Sequence, residues 1–156
     1  MNINDLNTIK TTEQSWRDFV TYSITSNFYQ DVKKLSLSVQ DAVELTLFNN
    51  YINTFSKDEQ AKLLHDKEVF LVYAKGFVDI LSEYRFNRSG YDTSIRSGFI
   101  GMIRNLLKEQ KDKNGKVLDI EKYRFFHSIV KFCSSLDYIT EVYDRYKAFI
   151  QHSEGI

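Results

Sequence analysis

The chain has 156 residues, no proline, six glycines and one cysteine, and its 21 basic and 21 acidic side chains cancel. That length suits one domain burying roughly 70% of its unfolded surface, a lone cysteine excludes an internal disulfide, and the missing proline disfavours turn-dense all-β folds. Met1 to Lys10 holds Asp5 and no apolar run, so it does not read as a signal peptide. The most apolar stretch, Val69 to Leu81, carries Lys75 and Asp79 and is too short for a bilayer span. A soluble cytoplasmic protein in a reducing compartment is expected, with no membrane contact. Lysine outnumbers arginine fourteen to seven, and Phe, Tyr, Ile and Asn are plentiful, which hints at an AT-rich bacterial, phage or mobile-element source.

Apolar spacing is helical nearly throughout. Thr11-Thr12-Glu13-Gln14 has the form of a capping box, and Trp16, Phe19, Val20, Ile24 and Phe28 then predict a helix running to about Lys34. Ser38 with Asp41 opens a second helix through Ala42, Leu45, Phe48, Ile52 and Phe55. Val43, Leu47 and Tyr51 widen its apolar surface beyond one stripe, so it should be central to the bundle or form a homodimer face. Ser56-Lys57-Asp58-Glu59, a further capping box, opens a short helix with Ala61 and Leu64 on its buried side. A longer helix follows, burying Val69, Tyr73, Phe77, Ile80 and Tyr84.

The pattern breaks at Asn87 to Gly90, and Asp92 or Thr93 caps the next helix, with Ile95, Phe99, Met102, Ile103 and Leu106 inside. Lys108 to Lys113 reads as a solvated charged turn, and Asn114-Gly115 as the left-handed stop of that helix. Asp119 opens a helix with Tyr123, Phe126, Ile129, Val130 and Cys133. Asp137 opens the last, with Ile139, Tyr143, Tyr146 and Phe149. The expected fold is all-α: one compact bundle of six or seven helices over 1–156, with 1–10 flexible and 152–156 frayed.

Charge is uneven along the chain. Residues 1–84 carry 8 basic and 12 acidic side chains, whereas residues 85–116 carry 8 and 3. Within that basic third, Tyr84, Arg85, Phe86, Arg88, Tyr91, Arg96 and Arg104 gather arginine with aromatic side chains, and Arg-Ser-Gly-aromatic occurs twice, eight positions apart. Arg and Tyr give large contact area and planar hydrogen bonding at low entropy cost. These seven residues are therefore the candidate site for a protein or an anion. Lys108, Lys111, Lys113 and Lys116 are candidates for tracking the phosphates of a nucleic acid.

Chemistry is otherwise sparse. The chain has no P-loop, HExxH, paired CxxC or GxSxG. With one Cys and three His (His65, His127, His152) a structural zinc site is excluded, and no metal or cofactor is expected. His127 and Cys133 lie six residues apart on one helix and point about 120° away from each other, which defeats a Cys–His nucleophile pair. The leading reading is a non-catalytic protein-binding module, such as a small adaptor, inhibitor or complex subunit. The alternative is an RNA- or ssDNA-binding subunit of a ribonucleoprotein. A third reading rests on Arg145 and His152 alone, which have the Arg-x6-His spacing of helical HEPN-type ribonucleases without the rest of that family's surroundings.

Overall fold

The computed structural model describes residues 13–35, 37–83 and 99–154. Within them lie eight helices: α1 (Glu13–Thr25), α2 (Asn27–Lys33), α3 (Val39–Ile52), α4 (Lys57–His65), α5 (Lys67–Glu83), α6 (Phe99–Lys108), α7 (Ile120–Ser134) and α8 (Leu136–Glu154). No strand occurs among the described residues; one antiparallel bridge joins Lys111 to Val117. The fold is all-α as the periodicity predicts, with one helix more than the upper count.

The extra helix comes from a break at Ser26. Its Oγ donates to the Ser23 carbonyl at 2.7 Å and accepts from the Tyr29 N–H at 3.2 Å, ending α1 and capping α2. A serine in extended backbone that satisfies the free N–H groups of a new helix is a strong start signal. The apolar steps from Trp16 to Phe28 pass over this point, but the break re-aims the buried face: α2 buries Tyr29 and Val32, while Ile24 and Phe28 are half-buried. Three other starts follow the sequence. Ser38 Oγ accepts from the Asp41 N–H, Ser56 Oγ from the Glu59 N–H, and Asp119 from the N–H groups of Glu121 and Lys122. The last helix begins one step earlier than Asp137 suggests, because Ser135 Oγ accepts from the Tyr138 N–H at 3.2 Å.

α3 is the hub. Nine of its fourteen residues are buried, and it packs against α1, α2, α7 and α8. Phe48, fully buried, meets the rings of Tyr51, Phe70, Tyr143 and Tyr146, and Phe70 stacks on Tyr143 with centroids 4.1 Å apart. Offset and edge contacts of this kind add to the area that the rings remove from water. Two buried polar side chains of α3 are satisfied internally. Asn50 donates to Ser23 Oγ at 2.9 Å, and Thr46 Oγ1 to the Ala42 carbonyl at 2.7 Å.

Two buried faces differ from the sequence pattern. In α4 the core residue is Leu63, while Ala61 is exposed and Leu64 half-buried. Tyr143 fixes this rotation by donating its hydroxyl to the Leu63 carbonyl at 2.9 Å. In α5 the buried seam is Phe70, Ala74, Phe77 and Leu81, one step round from Val69 and Tyr73, which are half-buried. Here α5 packs against α6, α7 and α8 as well as α4, so several neighbours set its rotation. The expected burial of Tyr84, Ile95 and Phe99, and the cap at Asp92 or Thr93, lie outside the described residues and side chains.

Gly115 does not stop α6, which has already ended at Lys108. With φ +80° it turns a small hairpin instead. Asp112 Oδ1 accepts from the N–H groups of Asn114 and Lys116 at 2.8 and 2.9 Å, and the Leu118 N–H reaches back to the Gln110 carbonyl at 2.7 Å. Arg17 of α1 pairs with Glu109 at the base of this hairpin.

Candidate functional site: a cleft between α3 and α8

The N-terminal turns of α3 and the C-terminal turns of α8 leave a cleft of about 340 Å³ between them. The Ser38 cap fixes where α3 begins, and helical spacing then sets Asp41, Glu44 and Leu45 on one side of it. From α8 come Val142, Arg145, Ala148, Phe149 and His152. Leu37, just before the cap, forms part of the lip. Leu35, Leu37 and Val39 are 49%, 38% and 50% exposed, and Leu37 lines the cleft beside Leu45, Val142 and Phe149.

One wall of the cleft is charged. Arg145 Nη1 donates to Asp41 Oδ1 at 3.0 Å, and its Nη2 lies 2.6 Å from Glu44 Oε2. The second contact is a close charge pair rather than an aligned hydrogen bond. Glu44 is almost wholly buried, whereas Arg145 and Asp41 are open to water. Gln40 Nε2 extends the network inward, donating to Glu44 Oε1 at 3.2 Å and to Ser128 Oγ of α7 at 2.9 Å. The buried Tyr138 hydroxyl stands at the inner end with no aligned hydrogen bond. Burial raises its phenol pKa most; Ser128 opposes the shift and the charge of Glu44 adds to it.

Arg145 and His152 thus share one cleft, but the guanidinium is held between two carboxylates. The wall sets two carboxylates against one guanidinium, so it is suited to a cationic or neutral visitor. Asp41 and Glu44 were not legible as site residues, since one reads as a helix-start residue and the other as part of an apolar run. The available signal was Glu44 itself, a carboxylate inside Ala42-Val43-Glu44-Leu45, which needs a charged partner once buried.

Of the candidates from the sequence, Tyr84, Arg85, Phe86, Arg88, Tyr91 and Arg96 lie outside the described residues. Arg104 is exposed on α6, and Lys108 closes that helix. Lys111, Lys113 and Lys116 are exposed on the hairpin, and the Lys111 ammonium sits 5.2 Å over the ring of Tyr123. His65-Asp66 has a structural explanation: Asp66 Oδ1 accepts from the Glu68 N–H at 3.0 Å and caps α5. Cys133 is buried on α7. His127 is half-buried, and burial first, then the charge of Lys131, lower its pKa.

Among the described residues no three His, Cys, Asp or Glu side chains gather as metal ligands, and no helix is long and apolar enough to cross a membrane. Compared with protein-family models, curated proteins and solved structures, the chain gives no match.

Proposed function

We propose that the protein is a non-catalytic protein-binding module that receives a partner segment in the α3–α8 cleft. The observation that carries this reading is that exposed Leu37, with exposed Leu35 and Val39 two residues to either side in the chain, lines the cleft together with Leu45, Val142 and Phe149. Exposed aliphatic side chains grouped beside a concave apolar floor favour a partner's side chain over water. The charged wall selects the visitor: two carboxylates face one guanidinium, so an apolar side chain flanked by Lys or Arg complements it. The Arg- and aromatic-rich segment from Tyr84 to Arg104 serves as a second contact, on the chemistry of its residues.

Ribonuclease action through Arg145 and His152 is the poorer reading, because the arginine is already engaged by Asp41 and Glu44. The test is site-specific photo-crosslinking in the native host. A photoreactive residue at Leu37 should join the chain to one protein, and one at Tyr22, exposed elsewhere on α1, should not. Val39→Glu should remove the Leu37 adduct. Adducts only with RNA, or none at Leu37, would overturn the reading.

A further inference from the structure

A second face of the molecule carries aromatic rings and lysines in alternation. Lys111 of the hairpin lies over Tyr123 at 5.2 Å, and Tyr123 runs nearly parallel to His127 with ring centroids 6.0 Å apart and planes 12° from each other. Lys131 follows His127 by four residues on the same side of α7 and lies 5.1 Å over the ring of Tyr138. One contact group, Lys111–Tyr123–His127, and a second, Lys131–Tyr138, thus follow each other along a single line. From Tyr123 to Lys131 it covers about 12 Å of helix axis.

The charge around this column is basic on balance. From Lys108 to Lys131 the chain has seven basic and four acidic side chains. All four acids are engaged: Asp112 and Asp119 accept backbone N–H groups, Glu109 pairs with Arg17, and Glu121 with Lys33. Lys108, Lys113 and Lys116 enter no ion pair among the described residues.

We propose that the line Lys111–Tyr123–His127–Lys131 binds a single-stranded nucleic acid. Bases splayed from a single strand can stack on aromatic faces, while ammonium groups on the same line meet successive phosphates. A duplex keeps its base faces stacked internally and has only phosphates to offer. The protein partner of the α3–α8 cleft is a different contact, and the two surfaces are tested by different readouts.

The experiment is fluorescence anisotropy of the full chain with labelled uridine and thymidine oligomers of about twelve nucleotides, beside a duplex of equal length. Single strands should bind at low salt. With three or four phosphates neutralised, the affinity should fall with a log–log slope of about 2 to 3. The uridine and thymidine arms show whether the sugar matters. Lys111→Glu/Lys131→Glu changes only exposed groups and should weaken binding by about tenfold or more. Tyr123→Leu/His127→Leu retains apolar bulk but cannot stack, and should cause a loss of about tenfold with an unchanged melting curve. No binding at low salt would overturn the proposal, as would binding that both double variants retain. So would equal affinity for the duplex together with indifference to Tyr123→Leu/His127→Leu, which marks a mere polyanion patch.

Discussion

Replacing Arg145 by alanine should separate α3 from α8 energetically without creating a core cavity. Arg145 reaches Asp41 at 3.0 Å and Glu44 at 2.6 Å, but the two carboxylates stand in different media: Asp41's side chain is 42% exposed and Glu44's 7%. An exposed pair is worth about 0–1 kcal/mol, so the Asp41 contact contributes little. Unpairing a fully buried charge costs about 3–5 kcal/mol. Here the guanidinium is itself 44% exposed, and water can reach Glu44 once it is gone, so about 1–2 kcal/mol is expected for that contact. The total is about 2 kcal/mol, or a melting point lowered by about 4–8 °C for a chain of this size. Glu44→Gln keeps the shape and removes the charge. It should cost about 1 kcal/mol, and the double variant should cost less than the two changes added together, by about 1 kcal/mol. Urea denaturation followed by far-UV circular dichroism gives all four corners of the cycle. Strictly additive effects, or an Arg145→Ala loss below about 0.5 kcal/mol, would show that the charged wall contributes no stability.

Leu47→Ala, which truncates a buried side chain in the apolar slot beside Trp16, Phe19 and Ile129, should cost about 3–5 kcal/mol in the same assay; a loss under about 1 would contradict the central role of α3. Ser56→Ala removes the cap whose Oγ accepts from the Glu59 N–H at 3.2 Å and should cost about 1 kcal/mol. Gly115→Ala meets no neighbouring atom, so any loss must come from the strained φ alone, about 1 kcal/mol, and should appear as a small drop in melting temperature. Burial pushes the Tyr146 phenol up to about 12 from an ordinary 10. Its contribution is fully present below the unfolded pKa near 10 and is lost as pH rises through about 12, so stability should fall across that alkaline window. Tyr146→Phe should flatten this fall, read from urea midpoints at stepped pH.

Most of the fold was legible where a local signal and the global fold agree. Ser38, Ser56 and Asp119 each precede an apolar run, and each caps the helix that the run forms. The Ser26 break was hidden because Ile24 and Phe28 carry the four-residue apolar spacing across it, and the hydrogen bonds that end one helix and begin the other leave no mark on periodicity. The α5 seam was off by one step because Val69, Phe70, Tyr73 and Ala74 are all apolar, and only the neighbouring helices choose among them. The cleft was harder still. Arg145 and Asp41 are 104 positions apart, and nothing local to either announces the other. On the hairpin side, Lys111 was legible as a cation, but its aromatic neighbour is Tyr123, which helical spacing reads as core.

The burial of Trp16 has a practical consequence. It is the chain's single tryptophan, 3% exposed, set edge-on to Phe19 within the slot that α1 closes over α3, α5, α7 and α8. Fluorescence excited at the red edge of protein absorbance therefore comes from one indole in one environment. Its emission should be blue-shifted in the native state and move to the red when α1 lifts from the bundle. The molecule carries its own optical gauge of α1 docking, and any ligand or partner that loosens that helix will register in it without a label.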